Sequence, residues 1–408
     1  MTVLFLTTVL PAGQTTGGEF ASQAFIEAMR LAGHRVVVLG YSRAGSDLEL
    51  GEDELSAGTR PIETRNAGLR PLAWIAAAFA LRIPYSMAKY RSRRYRRVMR
   101  ETLERLKPGL VVVEHAQMAW VVPRTGVRAP IVYLAQNVEH HLYREAAVTS
   151  RQPIRWLNHR EAQRMIEVER RLVGHATCVW TLSSADAEAL SQLAPCSPPL
   201  TFALTPPMVS SPQEVAKMQD VGILGTWTWA ANAAGLKWFC ERVYPLLSDA
   251  VSIAVAGAGA EKIAEDRPNV TRWGRVPDSI RFLGSARVIA VPSVAGSGVQ
   301  VKTLEAIATG QPVVATPVAL RGIPDPPPTV RVADQPAEFA ASLLAMLDSP
   351  PGPIASRAAQ EWAAQRRAGF RTAVATAVAE LDAASDPQRA AHATHPPGGP
   401  PCSDSAEP

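Results

Sequence analysis

Cysteine is scarce in this chain: Cys178, Cys196, Cys240 and Cys402 are the four in 408 residues. They form no CxxC pair and have no histidine at ligand spacing, which excludes a zinc module and a disulfide framework, so reduced thiols are expected. Long apolar runs are missing too. None reaches the roughly 18 residues that a helix needs to cross a bilayer. The opening residues 1–10 carry neither a basic leader nor a small-residue cleavage site and read as a first core strand, so cytoplasmic residence is the expectation. No short-period repeat is visible. A dinucleotide fingerprint is incomplete: the turn after residues 254–256 holds Gly257 and Gly259, but Lys262 stands where GxGxxG needs its third glycine. An ordinary strand-to-helix turn is the reading there.

What is present describes a folded globular chain, with 47% hydrophobic and 19% charged residues. The length suffices for two domains, each with its own core. Short apolar runs at residues 3–8, 36–40, 110–114, 131–135 and 177–182 read as strands separated by helical patterns. After a proline-rich polar stretch the rhythm resumes, with strands expected at 221–225, 251–256, 270–273, 288–291 and 313–316. Alternation of this kind predicts an α/β fold of two doubly wound parallel sheets. The linker is placed at 206–220, which divides the chain into domains 1–208 and 209–358. Alanine-rich residues 354–381 read as one or two helices. From residue 384 to 408 the Pro, Gly, His and Ser content cannot bury a core and predicts a disordered tail.

The most telling segment is GSGVQVKTLEAIATGQPVVAT, residues 296–316. A glycine-rich loop feeds a helix expected over 299–309, which Gly310 and Pro312 close. Such a junction leaves the amides of about Gly298, Val299 and Gln300 unpaired, where the helix dipole favours a phosphate. Lys302 adds a full charge. Glu305, three residues on, shares its face, so cation and carboxylate can address the phosphate and the sugar hydroxyls of one ligand. The plain alternative is an i,i+3 pair on an ordinary helix surface. The block of Gly, Lys, Leu-Glu-Ala, Gly-x-Pro-Val-Val and Thr resembles the donor-binding motif of the group 1 (family 4) glycosyltransferases. That resemblance implies the GT-B fold, two Rossmann-like domains facing a cleft, with the 360–382 helix packing back on the first domain. It also implies retention of anomeric configuration.

The resemblance gives roles to further positions. Gly17 and Gly18, after the first strand, match a loop facing the donor diphosphate. Gly225 and Asn232 fall in the donor-side loop, where Trp227 and Thr228 replace the Arg and Lys that often follow this strand. Arg275 and Val276 lie in a loop that holds the nucleotide base. His115 follows one strand, and Asn137 and Glu139 follow another, near the transferred sugar and the acceptor. Polar residues past the carboxyl ends of parallel strands lie where doubly wound folds bind ligands, although a structural histidine is the other reading of His115. The paired glutamates of the family are reduced to Glu305, with Ser297 in place of the first. His140 and His141 are adjacent and expected to point apart, so no metal site or other cofactor is implied.

The basic excess, a formal charge of +5, is concentrated in residues 89–107. As one helix, these would set Lys89, Arg93, Arg96, Arg97 and Arg100 on one face and Tyr95, Met99, Leu103 and Leu106 on another. With the apolar run 72–81 just upstream, this suits an anionic membrane surface, the alternative being a solvated helix face. The arginines are not interleaved with aromatics, which argues against nucleic acid. The expected partners are therefore a nucleotide-sugar donor and a sugar or lipid-linked acceptor, with a peripheral role in cell-surface polysaccharide or glycolipid assembly. A non-catalytic nucleotide-sugar-binding protein and a sugar-nucleotide epimerase on the same fold are the alternatives.

Overall fold

Strong β-formers in short runs, most of them followed by a helix, build two parallel sheets. The structure, a computed structural model, describes all residues except 14–15, 46–48, 62–67, 123–128, 209–214, 263–266, 297 and 386–408. Ser297, the middle of the expected linker and nearly all of the expected tail therefore lie outside the described residues.

The first sheet holds β1 (Thr2–Val9), β2 (Arg35–Arg43), β3 (Glu54–Arg60), β4 (Leu110–Glu114), β5 (Ile131–Ala135), β6 (Cys178–Thr181) and β7 (Leu200–Thr201) in the order β3-β2-β1-β4-β5-β6-β7. The second holds β8 (Gln219–Leu224), β9 (Ile253–Ala256), β10 (Val270–Gly274), β11 (Ala286–Val291), β12 (Val313–Ala315) and β13 (Val330–Val332) in the order β10-β9-β8-β11-β12-β13. All pairings are parallel. The ten expected strands are present. Three that sequence periodicity did not pick out, β3, β7 and β13, are edge strands: one half-polar, the others two and three residues long. With one flank unpaired and one face partly wet, an edge strand lacks the continuous apolar run that marks a central one. Strand β8 begins at Gln219, inside the expected linker.

The helices are α1 (Gly17–Leu31), α2 (Arg70–Ala80), α3 (Tyr85–Tyr90), α4 (Arg93–Leu106), α5 (Glu139–Thr149), α6 (Ile154–His175), α7 (Ser184–Ser191), α8 (Ala230–Trp238), α9 (Ser279–Gly284), α10 (Val301–Ala308), α11 (Pro336–Asp348) and α12 (Pro353–Ser385). Successive side chains of a strand face opposite sides, so Val3 and Phe5 of β1 enter one core with Phe25, Trp180 and Phe202, while Leu4 and Leu6 enter another with Tyr95 and Met99. Both faces of the first sheet are thereby covered. In each sheet the strand order reverses next to the first strand of its lobe, between β1 and β4 and between β8 and β11. The carboxyl ends flanking such a reversal are splayed apart, which leaves room for a ligand.

The long α12 ties the two lobes. Its Phe370 packs edge-on against Phe25 of α1, with ring centroids 4.9 Å apart. Arg366 donates to the carbonyl of Leu204 in one lobe and of Gly322 in the other, at 2.8 Å each. Burial pulls that guanidinium down to about 10, so two carbonyl acceptors replace the water it has lost. Where α12 passes the end of α10, Gly310 (φ +73°) lies against the Ser356 carbonyl. Phe370→Ala is expected to cost about 3–5 kcal/mol through the cavity it leaves between α12 and α1, read as a shift of the denaturant midpoint. An unchanged midpoint would mean that α12 is not docked.

Candidate functional site

Helix α10 begins two residues later than the sequence suggests, at Val301, with Gln300 as an N-cap that offers no side-chain hydrogen bond. Gly298, Val299 and Gln300 therefore belong to the feeding loop, and their amides donate to no described residue. The loop is held from behind. Ser293 Oγ donates to Gln300 Oε1 at 2.6 Å, and Arg321 donates to the Gly296 carbonyl at 2.7 Å. Thr303, Leu304, Ala306 and Ile307 are buried and anchor the helix, which leaves Lys302 and Glu305 on its cleft side.

Lys302 and Glu305 do not pair with each other. Lys302 Nζ donates to Asn232 Oδ1 at 2.9 Å and stands 6.0 Å from the ring centroid of Trp227. Asn232 is oriented by its own amide, which donates to the Thr226 carbonyl at 3.1 Å. Burial lowers Lys302 to about 8. Burial raises Glu305 to about 7, opposed by a hydrogen bond with Ser279. Among the described residues neither has a counter-ion, so each charge is held partly desolvated and uncompensated. That is the reverse of the plain surface pair.

The donor-side loop of the second lobe folds around glycines. Gly257 (φ +114°) lies directly against the Gly225 carbonyl, and a side chain at Gly225 would meet the Trp227 ring at 2.8 Å. Trp227 is itself buried, its indole N–H donating to the Ala256 carbonyl at 2.9 Å, so it supports the turn from inside. Gly257 and Gly259 thus pack under this loop as a strand-end turn. Arg275 is exposed and Val276 packs on the second core; their loop reaches Glu305 through Ser279, next to the α9 cap Asp278.

The first lobe presents its own reversal point opposite α10. Thr16 caps α1 by accepting from the Glu19 amide. A Cβ at Gly17 would stand 3.3 Å from Val301 of α10, and one at Gly18 would stand 3.3 Å from Gln136 Oε1. Gly298 abuts the side-chain amide of Asn137, which would collide with any Cβ there. Each of these glycines thus lies close to a side chain of the opposite lobe or of the neighbouring strand end: Gly17 to Val301, Gly18 to Gln136 and Gly298 to Asn137.

His115 ends this wall at φ +66°, a left-handed conformation rare for a residue with a side chain. Its Nε2 lies 4.0 Å from Glu114 Oε2 and its Nδ1 lies 4.0 Å from Glu139 Oε1. Glu139 is pushed up to about 8, first by burial and then by neighbouring Glu169, with a hydrogen bond to Gln117 working against the shift. Glu169 in turn accepts from the Glu139 amide at 2.7 Å and from His140, whose Nδ1 is 2.6 Å away. The site thus gathers Gly17, Gly18, His115, Asn137, Glu139, Asn232, Gly298, Val299, Gln300, Lys302 and Glu305 around one cleft corner. Glu114, Gln136, Glu169 and Arg321 were missed in the sequence, because their importance lies in contacts between distant strands. Among the described residues no cluster of metal-ligating side chains occurs.

Two expectations are corrected. Lys89 does not share a face with Arg93, Arg96, Arg97 and Arg100: it is buried in α3, with Nζ 5.8 Å from the Trp74 ring and 5.1 Å from that of Tyr90. The reason is Ser92, which accepts from the Tyr95 amide and starts a new helix, so the helical phase restarts at Arg93. His140 and His141 do not point apart either; their rings meet edge to face at 4.4 Å.

Two family profiles match. The one described as "Glycosyl transferases group 1" covers residues 219–349, and the one described as "Glycosyl transferase 4-like domain" covers residues 16–202. No curated protein matches. Among solved structures, sucrose-phosphate synthase from Thermosynechococcus elongatus superposes with a TM-score of 0.62 at 15% identity, covering 97% of this chain and 100% of that one. Anabaena HepE in complex with UDP gives 0.54 at 16%, covering 94% and 100%. AviGT4, a glycosyltransferase involved in avilamycin A biosynthesis, gives 0.51 at 12%, covering 94% and 97%. At these identities the likeness is one of fold.

Gly298→Ala is expected to destabilise the protein by about 1–3 kcal/mol through overpacking against Asn137. Asn137→Ala in the same chain should recover more than half of that in a double-mutant cycle. Additive effects by thermal denaturation would show that the lobes do not touch there.

Proposed function

The chain belongs to the group 1 glycosyltransferases and has their two-domain GT-B fold, and on that premise we propose that it moves a sugar, with retention of configuration, from a nucleoside diphosphate donor held against α10. The observation that carries this reading is the pair of half-buried charges without counter-ions, Lys302 and Glu305, on one helix face beside the amides of Gly298, Val299 and Gln300, which donate to no described residue. A diphosphate would replace the counter-ion that Lys302 lacks, and the ionised Glu305 would accept from ribose hydroxyls. As the bond between the anomeric carbon and the phosphate oxygen breaks, negative charge grows on the diphosphate, where Lys302 and the loop amides stabilise it. The acceptor oxygen bonds to the same carbon from the same face, and its proton passes to the departing phosphate oxygen. His115, Asn137 and Glu139 would line the sugar and acceptor side, Gly17 and Gly18 the diphosphate, and Gly225, Asn232, Arg275 and Val276 the rest of the donor. This scheme uses side chains and amides alone and calls on no metal or other cofactor.

The acceptor is proposed to be lipid-linked, in cell-surface polysaccharide or glycolipid assembly at the cytoplasmic membrane face. Among the described residues no helix is long and apolar enough to cross a membrane. What supports peripheral contact is an exposed apolar surface that α2 shares with the start of α6. Phe79 stacks on Trp156; Leu69, Leu72 and Leu81 are exposed in or beside α2, Ile154 at the start of α6 and Val148 shortly before it. Arg70, Arg82, Arg151 and Arg155 are exposed in the same segments, so the surface is both apolar and cationic, as an anionic lipid interface demands. Arg93, Arg96, Arg97 and Arg100 line the outer face of α4, although Arg97 already pairs with Glu101.

Lys302 is charged below about 8 and Glu305 is ionised above about 7, so donor affinity should peak between these limits and fall as pH rises past the lysine. Lys302→Met should abolish the alkaline limb along with most of the affinity for UDP-, GDP-, ADP- or TDP-sugars in calorimetry. Unchanged binding would remove Lys302 from the site. For the surface, Trp156→Ala with Leu72→Ser should reduce sedimentation with phosphatidylglycerol vesicles more than Arg93→Ala with Arg96→Ala does. Absence of vesicle binding by the unmodified chain would rule the membrane out.

A further inference from the structure

Glu114 closes an apolar strand, and its sequence neighbourhood marks it only as the end of that strand. Its carboxylate is completely buried at the carboxyl end of β4, and its two oxygens face different parts of the cleft wall. Oε1 accepts from Ser22 Oγ and from Gln136 Nε2, both at 2.7 Å. Gln136 Nε2 also donates to the Gly18 carbonyl at 3.0 Å, and Ser22 Oγ lies 2.9 Å from the same carbonyl. The glycine turn at the start of α1 is thus tied to β4 and β5 through one carboxylate oxygen.

The other oxygen is treated differently. Oε2 is buried without a hydrogen-bond partner and stands 4.0 Å from Nε2 of His115. A buried carboxylate oxygen without a donor is expensive, and the imidazole of His115 stands just outside hydrogen-bonding distance of it. Closing the gap to hydrogen-bond length takes about 1 Å of ring movement. The strained φ of His115 keeps the ring between Glu114 and Glu139, since a relaxed backbone would swing it elsewhere.

We propose that Glu114 is a positioning residue for sugar transfer, holding a proton on Nε2 of His115 through Oε2 and fixing the turn at Gly17 and Gly18 through Oε1, Ser22 and Gln136. One buried carboxylate then sets the imidazole on the sugar side and the loop on the diphosphate side together. The inference rests on the transferase reading above. The groups facing the ring are Glu114 from β4 and Glu139 from α5, with Glu169 of α6 behind Glu139. Glu139 is pushed up to about 8, toward its neutral form, and its Oε1 stands 4.0 Å from Nδ1, so a small movement of the carboxyl would let its O–H donate there. The chain of donors therefore runs one way, from Glu139 through the ring to Glu114, and the ring keeps a single tautomer.

Nitrogen-15 NMR of histidine-labelled, donor-free protein tests this, with the His115 signal assigned by its loss in His115→Gln. The unmodified chain should show the Nε2–H tautomer. In Glu114→Gln the carboxamide oxygen keeps Ser22 and Gln136 as donors and its NH2 turns to Nε2, so the proton should move to Nδ1. In turnover that variant should lose about tenfold or more in kcat with donor KM almost unchanged. Ser22→Ala should instead raise donor KM and leave the tautomer as it was. An Nδ1–H tautomer in the unmodified chain overturns the proposal even if Glu114→Gln does not fold, and so does an unaltered tautomer in Glu114→Gln. Because the spectra need no donor, the expected tautomer in a chain that transfers no sugar would overturn the transferase reading instead.

Discussion

Two opposite charges three residues apart on α10, half-buried at the cleft and kept from each other, are the feature on which the rest of this molecule turns. A lysine and a glutamate at that spacing on an exposed helix would pair for a few tenths of a kcal/mol and mean little. Here Lys302 leans on Asn232 and Glu305 on Ser279, each drawn aside by a neutral partner on another element. Neutral partners orient a charge without cancelling it. The desolvation that pulls Lys302 down to about 8 and lifts Glu305 to about 7 is a standing cost, which a ligand bearing the complementary groups would relieve.

That cost can be sustained because α10 is held on several sides. Its inner face is buried, Gln300 and Arg321 pin the loop before it, and α12 closes over its far end at Gly310. The same α12 runs on to Phe25 behind the first-lobe glycine turn. Helix α10 and the turn facing it are therefore fastened to one long element. Glycines permit the close approach of the two walls: at Gly298 the Asn137 side chain already occupies the space that a Cβ would need, and at Gly17 Val301 crowds it.

The first-lobe wall follows a different physical plan. Where α10 holds its charges apart and half exposed, the ends of β4 and β5 collect carboxyl groups in a dry interior. Glu114 is satisfied on one oxygen by Ser22 and Gln136, Glu169 accepts from backbone and His140, and Glu139 between them is forced toward the neutral form. With Glu139 driven toward its neutral form by burial and by Glu169, the wall presents donors and acceptors around His115.

Much of this was legible in the sequence, and what was not has a common cause. The apolar runs of the central strands, the glycines of α1 and the loop before α10, and the phase that puts Lys302 and Glu305 on one face are all local, so spacing alone determined them. The alternation of strands and helices likewise implied two doubly wound sheets, while the places where their strand orders reverse came only with the fold. Edge strands β3, β7 and β13 were invisible because each has a neighbour on only one side and needs no continuous apolar run. The single basic helix dissolved into α3 and α4 because Ser92 capped a new helix, and Lys89 fell into the interior. Whether Lys302 would pair with Glu305 or with Asn232, and that Glu114 would face His115, were decided by tertiary structure. Such choices depend on which distant strand ends are brought within hydrogen-bonding reach, and periodicity along one chain carries no record of that.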